Sequence, residues 1–153
     1  MATRRVKATR GVILNYPITI AASLTLLAFA AHVTGGLRQT LSIAPPKFAG
    51  SHIERRELDI LDRNWVQVMC AFQLISVDLL VLAGVLYLLA FTDTLSPKQP
   101  IALALAAIYF LWGCVWVLQL FALKRAPKDY LYLGHWAFWF LCSGLIYWGA
   151  QSM

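Results

Sequence analysis

The chain has 153 residues, 60% of them hydrophobic and only 13% charged, and its thirteen Lys/Arg against seven Asp/Glu give a formal charge of +6. A water-soluble domain carries about 25% charged residues, so this composition points away from a soluble globular fold and toward a polytopic membrane protein. Cys70, Cys114 and Cys142 lie in apolar stretches without CxxC spacing, which argues against both a disulfide framework and a thiolate metal site. The basic residues flank the apolar stretches instead of sharing one soluble face, a pattern that suits anionic lipid headgroups and not nucleic acid.

The first ten residues include Arg4, Arg5, Lys7 and Arg10. The apolar run that follows is longer than a signal-peptide core and lacks a small-residue cleavage pattern, so it reads as a retained span. Crossing the ~30 Å hydrocarbon core takes roughly 20 mostly apolar helical residues. Four segments meet that requirement, at about 16–36, 65–91, 101–123 and 131–150. Backbone amides in lipid must be satisfied within their own segment, and none of these runs alternates polar and apolar residues as a membrane barrel strand would.

The boundaries carry signals of their own. Asn15-Tyr16-Pro17 reads as a cap with proline in the first turn, and Gly35-Gly36 as the stop of the same helix. Ser51 and Glu54 have capping-box spacing, which would start a charged amphipathic extension over 52–64 that feeds into the second helix at Trp65. Pro97 and Pro100 break the second link and Pro127 the third; connections this short make antiparallel neighbours. The expected fold is therefore all-α, a single transmembrane domain over 1–153. It is an integral membrane antiparallel four-helix bundle, with a long polar loop and amphipathic segment over 37–64.

Orientation is contested within the sequence. With the N-terminus inside, the inner side holds the four tail charges and Lys98, against Arg38, Lys47, Arg55, Arg56, Arg63, Lys124, Arg125 and Lys128 outside, a count that favours N-out. A four-charge tail resists translocation and the first helix usually dominates, and on that ground the reading adopted is N-in.

The polar and aromatic residues inside the apolar runs are the candidate ligand-binding set: His32, Gln67, Asp78, Trp112, Trp116, Gln119, His135 and Trp139. Helix alternation puts His32, Gln67, Gln119 and His135 toward the side of the 37–64 loop. Ala21, Thr25, Ala28 and His32 form a mostly small-residue stripe suited to close helix approach. Gln67, Ala71, Leu74 and Asp78 share a face of the second helix, Trp112, Trp116 and Gln119 one of the third, and His135, Trp139 and Cys142 one of the fourth. Turned inward, the four stripes would enclose a pocket with two imidazoles, aromatic walls and a carboxylate floor.

Asp78 lies about 20 Å below Trp65 at 1.5 Å per residue, near the middle of a bilayer, where a lipid-exposed carboxylate costs several kcal/mol. It must face protein or water or take up a proton; Gln73, Ser143 or a partner subunit could supply a hydrogen bond. A proton-handling, cation-binding or ligand-orienting role competes with that structural one. His32 and His135 are the candidate metal ligands, either as axial ligands of a haem iron or together with a loop carboxylate such as Glu54 or Asp59. Interhelical hydrogen bonding is the plainer use of each. Trp112 and Trp116 could stack on a quinone or sterol-like molecule or simply pack. Trp65, Trp136, Trp148, Tyr16, Tyr130 and Tyr132 fit interfacial belts.

The segments Arg55-Arg56-Glu57-Leu58, Trp65-Val66-Gln67, Ser76-Val77-Asp78-Leu79-Leu80 and His32-Val33-Thr34-Gly35-Gly36 together resemble a group of small bacterial inner-membrane proteins with four helices. The resemblance implies a multi-pass protein of the bacterial inner membrane and carries no activity with it. Asn64-Trp65 stands where that group places a tryptophan followed by histidine, which removes one potential metal ligand.

No HExxH, no nucleophile-plus-base spacing and no paired carboxylates within one span are present. The function expected from these features is an integral membrane subunit or scaffold that binds a partner membrane protein or self-associates, in contact with membrane lipids. The alternatives are a haem- or quinone-binding membrane protein, an enzyme on a lipid-like substrate using His32, His135 and Asp78, and, with dimerisation, a transporter.

Overall fold

Every regular element among the described residues is helical. The structure is a computed structural model and describes residues 14–45 and 55–153. In chain order it comprises α1 (Tyr16–Ala31), a π-helical turn (His32–Gly36), α2 (Leu37–Ser42), α3 (Arg55–Phe91), α4 (Lys98–Ala122), α5 (Pro127–Tyr132) and α6 (His135–Ala150). Among the described residues three stretches are long and apolar enough to cross a membrane: Tyr16–Ser42, Arg55–Phe91 and Lys98–Ala122, with mean hydropathies of 1.7, 2.5 and 2.3 over an 18-residue window of each.

α1 begins as its sequence predicts. The Ile18 amide donates to Asn15 Oδ1 at 3.3 Å, which satisfies one of the amides a helix start leaves without a partner. Its end differs from expectation. Gly35-Gly36 does not stop the helix; the Leu37 amide bonds the His32 carbonyl across a π turn, and helix continues to Ser42. A glycine stop works by adopting left-handed backbone, whereas Gly36 keeps helical angles of φ −63° and ψ −40°. Its use is proximity: a Cβ there would lie 2.9 Å from two ring atoms of Phe72.

The charged extension and the second apolar run are one rod, the 37-residue α3. Ser51, His52 and Glu54 lie outside the described residues, so the capping box does too. α4 is entered through Pro97 in extended conformation, and an Asp93–Lys98 ion pair of 2.8 Å spans the turn before it. α4 ends in paired reverse bonds, Arg125 amide to Leu120 carbonyl at 3.1 Å and Lys124 amide to Phe121 carbonyl at 2.9 Å. Lys124 adopts φ 49° to make them, so a lysine fills the left-handed position usually held by glycine.

The fourth apolar run is not one helix. Gly134 separates α5 from the 16-residue α6, and two indoles take carbonyls at the break. Trp116 Nε1 donates to the Leu133 carbonyl and Trp136 Nε1 to the Tyr130 carbonyl, each at 2.9 Å. α6 is then about 24 Å long at 1.5 Å per residue, short of the ~30 Å core.

The chain divides into two compact units, Met1–Ile20 with Leu86–Met153, and Ala21–Val85. In the first, α4 and α6 run antiparallel, with Trp116 beside His135, Phe110 beside Phe140 and Ser143 bonded to Ala106. Asn15 joins the start of α1 to the end of α6 through a 2.8 Å bond from Nδ2 to the Gly149 carbonyl. In the second unit, Trp65 Nε1 donates to the Thr40 carbonyl at 3.2 Å and Phe72 meets His32 and Gly36, so the first helical stretch and α3 run antiparallel there.

Candidate functional site

The candidate residues sort by whether the chain itself uses them. The α4–α6 seam uses most of the aromatic ones. Tyr109 is fully buried, and Trp139 lies 5.5 Å from it, 4.9 Å from Trp112 and 4.9 Å from Phe138, ring centre to ring centre. The Trp112–Trp139 and Tyr109–Trp139 pairs meet edge to face at 77° and 66°, an arrangement aromatic quadrupoles favour. Trp112 is thus engaged in ring packing with Trp139. Trp116 lies 4.5 Å from the His135 ring, inclined by 31°, and its only donor is committed to the Leu133 carbonyl. His135 is exposed at the start of α6, and Gln119 is exposed one turn beyond Trp116.

His32 is used inside the other unit. Its Nε2 lies 3.1 Å from the Phe72 carbonyl and its ring stacks on Phe72 at 3.7 Å and 16°. A carbonyl oxygen only accepts, so Nε2 is the donor and carries the hydrogen. The Ser76 hydroxyl donates to the same carbonyl at 3.1 Å. A metal at Nε2 would have to displace that bond; the other ring nitrogen, Nδ1, lies over Gly36. Among the described residues no three His, Cys, Asp or Glu side chains are grouped closely enough to hold a metal ion.

The polar set on α3 is different. Gln67, Ala71, Leu74 and Asp78 are all exposed. Around Asp78 stand Leu74, Val77 and Val81 at 67%, 58% and 56% exposure, so the carboxylate is set in an open apolar surface. Among the described residues it has no hydrogen-bond or ion-pair partner. Neither suggested intrachain partner reaches it. Ser143 donates instead to the Ala106 carbonyl at 2.8 Å, and Gln73 is itself exposed. The charged start of α3 offers only an open depression lined by Arg56, Asp59, Ile60, Asp62 and Arg63.

Three contributors escaped the sequence reading: Phe72 as the partner of His32, Tyr109 as the buried centre of the aromatic seam, and the Asn15–Gly149 link. Phe72 and Tyr109 are ordinary apolar positions in apolar runs, and nothing in their spacing marks them. Asn15 was legible as a cap but not as a tie to the far end of the chain. The chain matches no protein-family model, no curated protein and no solved structure.

Proposed function

We propose that this chain is an integral membrane protein of four crossings that acts as a subunit or scaffold, binding another membrane protein through the outer face of α3. Three stretches have the length and apolarity to cross. The tie between the start of α1 and the end of α6 supports a fourth crossing. Two ends on one side require an even number of passes, so α6 would return the chain that α4 carries over. That is the topology of the antiparallel four-helix bundle expected from the sequence. The bacterial inner membrane is the setting implied by the resemblance noted above, with lipid covering the remaining apolar surface.

The observation that carries the binding role is Asp78, exposed in an apolar surface without a partner among the described residues. A carboxylate at that depth facing acyl chains costs several kcal/mol, and exposed apolar patches rimmed by polar groups mark interaction sites. The candidate tryptophans at the α4–α6 seam and His32, by contrast, are engaged within the chain.

Photo-crosslinking in native membranes tests this reading. A photo-reactive side chain at Leu74 should yield a crosslink to one protein species, whereas the same group at Leu118, an exposed residue of α4, should capture lipid. Crosslinks to lipid alone from both positions would overturn it.

A further inference from the structure

The reading above says that a protein covers the α3 face but not what that protein presents. We infer that the partner is a transmembrane helix of a different protein carrying a lysine or arginine near the middle of its span, docked along Gln67, Ala71, Leu74, Asp78 and Val81 with its cation on Asp78. This inference rests on the membrane-subunit reading.

The argument is one of charge. Residues 64–97 contain two Asp, Asp78 within the apolar run and Asp93 in the turn after it, and no Lys or Arg, and the chain's thirteen basic residues all lie outside 11–37, 64–97, 99–123 and 129–153. No apolar stretch therefore places a cation of this chain at the depth of Asp78. A second copy has the same deficit. Two-fold pairing through the same face would set Asp78 against Asp78, like charges that repel unless a proton is shared. Only a foreign helix can supply the opposite charge, and intramembrane ionisable groups pair with one another when they occur.

Geometry adds a second anchor. Gln67 and Asp78 are eleven residues apart, close to three helical turns and about 16 Å along one face. Both are exposed, with Ala71 and Leu74 between them. Ala71 lets a second backbone approach closely, as small residues do at such crossings. The partner helix is therefore expected to carry a hydrogen-bonding residue about three turns from its cation, level with Gln67.

The test uses the purified full chain in phosphatidylcholine vesicles, with its six tryptophans as energy-transfer donors. The acceptors are dansylated, tryptophan-free leucine-alanine helices carrying a central lysine, leucine or glutamate. The lysine helix should reach half-maximal transfer at about tenfold lower concentration than the leucine helix, the range measured for polar contacts between model membrane helices, and the glutamate helix should show no gain. Asp78→Leu should remove the lysine preference and Asp78→Asn should reduce it, with unchanged helical circular dichroism as the control for folding. Equal transfer from the lysine and leucine helices, or a preference that survives Asp78→Leu, overturns the inference. So does an Asp78-dependent dimer of the chain itself, read by light scattering or by a Cys70–Cys70 crosslink, that the lysine helix fails to disperse. A protein crosslink from Leu74 without any lysine preference would sink this inference and leave the subunit reading standing. The absence of any protein crosslink from Leu74 in native membranes would sink the subunit reading and this inference with it, whatever the vesicles show.

Discussion

The α4–α6 seam and the exposed face of α3 treat their polar groups in opposite ways. In the seam, polar atoms are paired inside the chain: the Trp116 indole with the Leu133 carbonyl, the Ser143 hydroxyl with the Ala106 carbonyl. Large rings fill the space between the helices, and Tyr109, Cys142 and Ile146 are sealed from any surroundings. On α3, Gln67 and Asp78 stand exposed among Leu74, Val77 and Val81. Polar groups that stabilise a fold are satisfied by it. Groups left open on an apolar surface are those that the proposed partner would satisfy. Stability and association should therefore separate cleanly when the two regions are changed.

The largest effect belongs to the seam. Trp139→Ala removes the ring that Tyr109, Trp112 and Phe138 all touch. Truncation of a buried aromatic costs about 3–5 kcal/mol. Unfolding in detergent, followed by circular dichroism, should show a loss of that size, while crosslinking from Leu74 in whatever protein remains folded should persist. If Trp139→Ala were as stable as the parent chain, the seam would not be the structural half of this comparison.

A smaller effect tests the link between the two ends of the chain. A Cβ on Gly149 would lie 2.5 Å from Ile18 Cγ1 and 2.6 Å from Asn15 Oδ1. Ile18 is fully buried and Asn15 is the α1 cap, so neither can simply swing away. Gly149→Ala should cost about 1–3 kcal/mol, the range for overpacking, measured by the same unfolding transition. If the variant has parental stability, the ends are not joined as described, and the support for an even number of crossings goes with it.

What could be read from the sequence was local. The all-α class, the Asn15 cap, the charged start of α3 and the breaks at Pro97 and Pro127 each depend on a few neighbouring residues, and each is seen in the described residues. The break at Gly134 and the π turn at His32–Gly36 were not legible, because both are set by groups distant in sequence. Indoles at 116 and 136 take the carbonyls around Gly134, and the Phe72 ring fills the space over Gly36. Gly35-Gly36 resembled a stop because glycine favours left-handed backbone, but here the missing Cβ mattered more than the missing conformational restriction. For the candidate site, helical periodicity correctly put Gln67, Ala71, Leu74 and Asp78 on one face. It could not say whether that face looks inward, since a mixed polar and apolar stripe suits a pocket wall and a docking surface equally.

The smallest effect is the most discriminating. Asp78→Leu replaces an exposed carboxylate that makes no bond within the described residues by a side chain like those around it. Surface changes that break no cap, core contact or bonded network alter stability by no more than about 0.5 kcal/mol, and here desolvation of the carboxylate would be relieved. The unfolding transition of the isolated chain in detergent should therefore stay within that margin of the parent or move slightly above it, while crosslinking to a partner from Leu74 falls. A loss of more than about 1 kcal/mol, twice what an exposed substitution produces, would mean that Asp78 is bonded within its own chain. The α3 face would then belong with the seam, and the distinction between a region that folds the protein and a region that serves its neighbour would collapse.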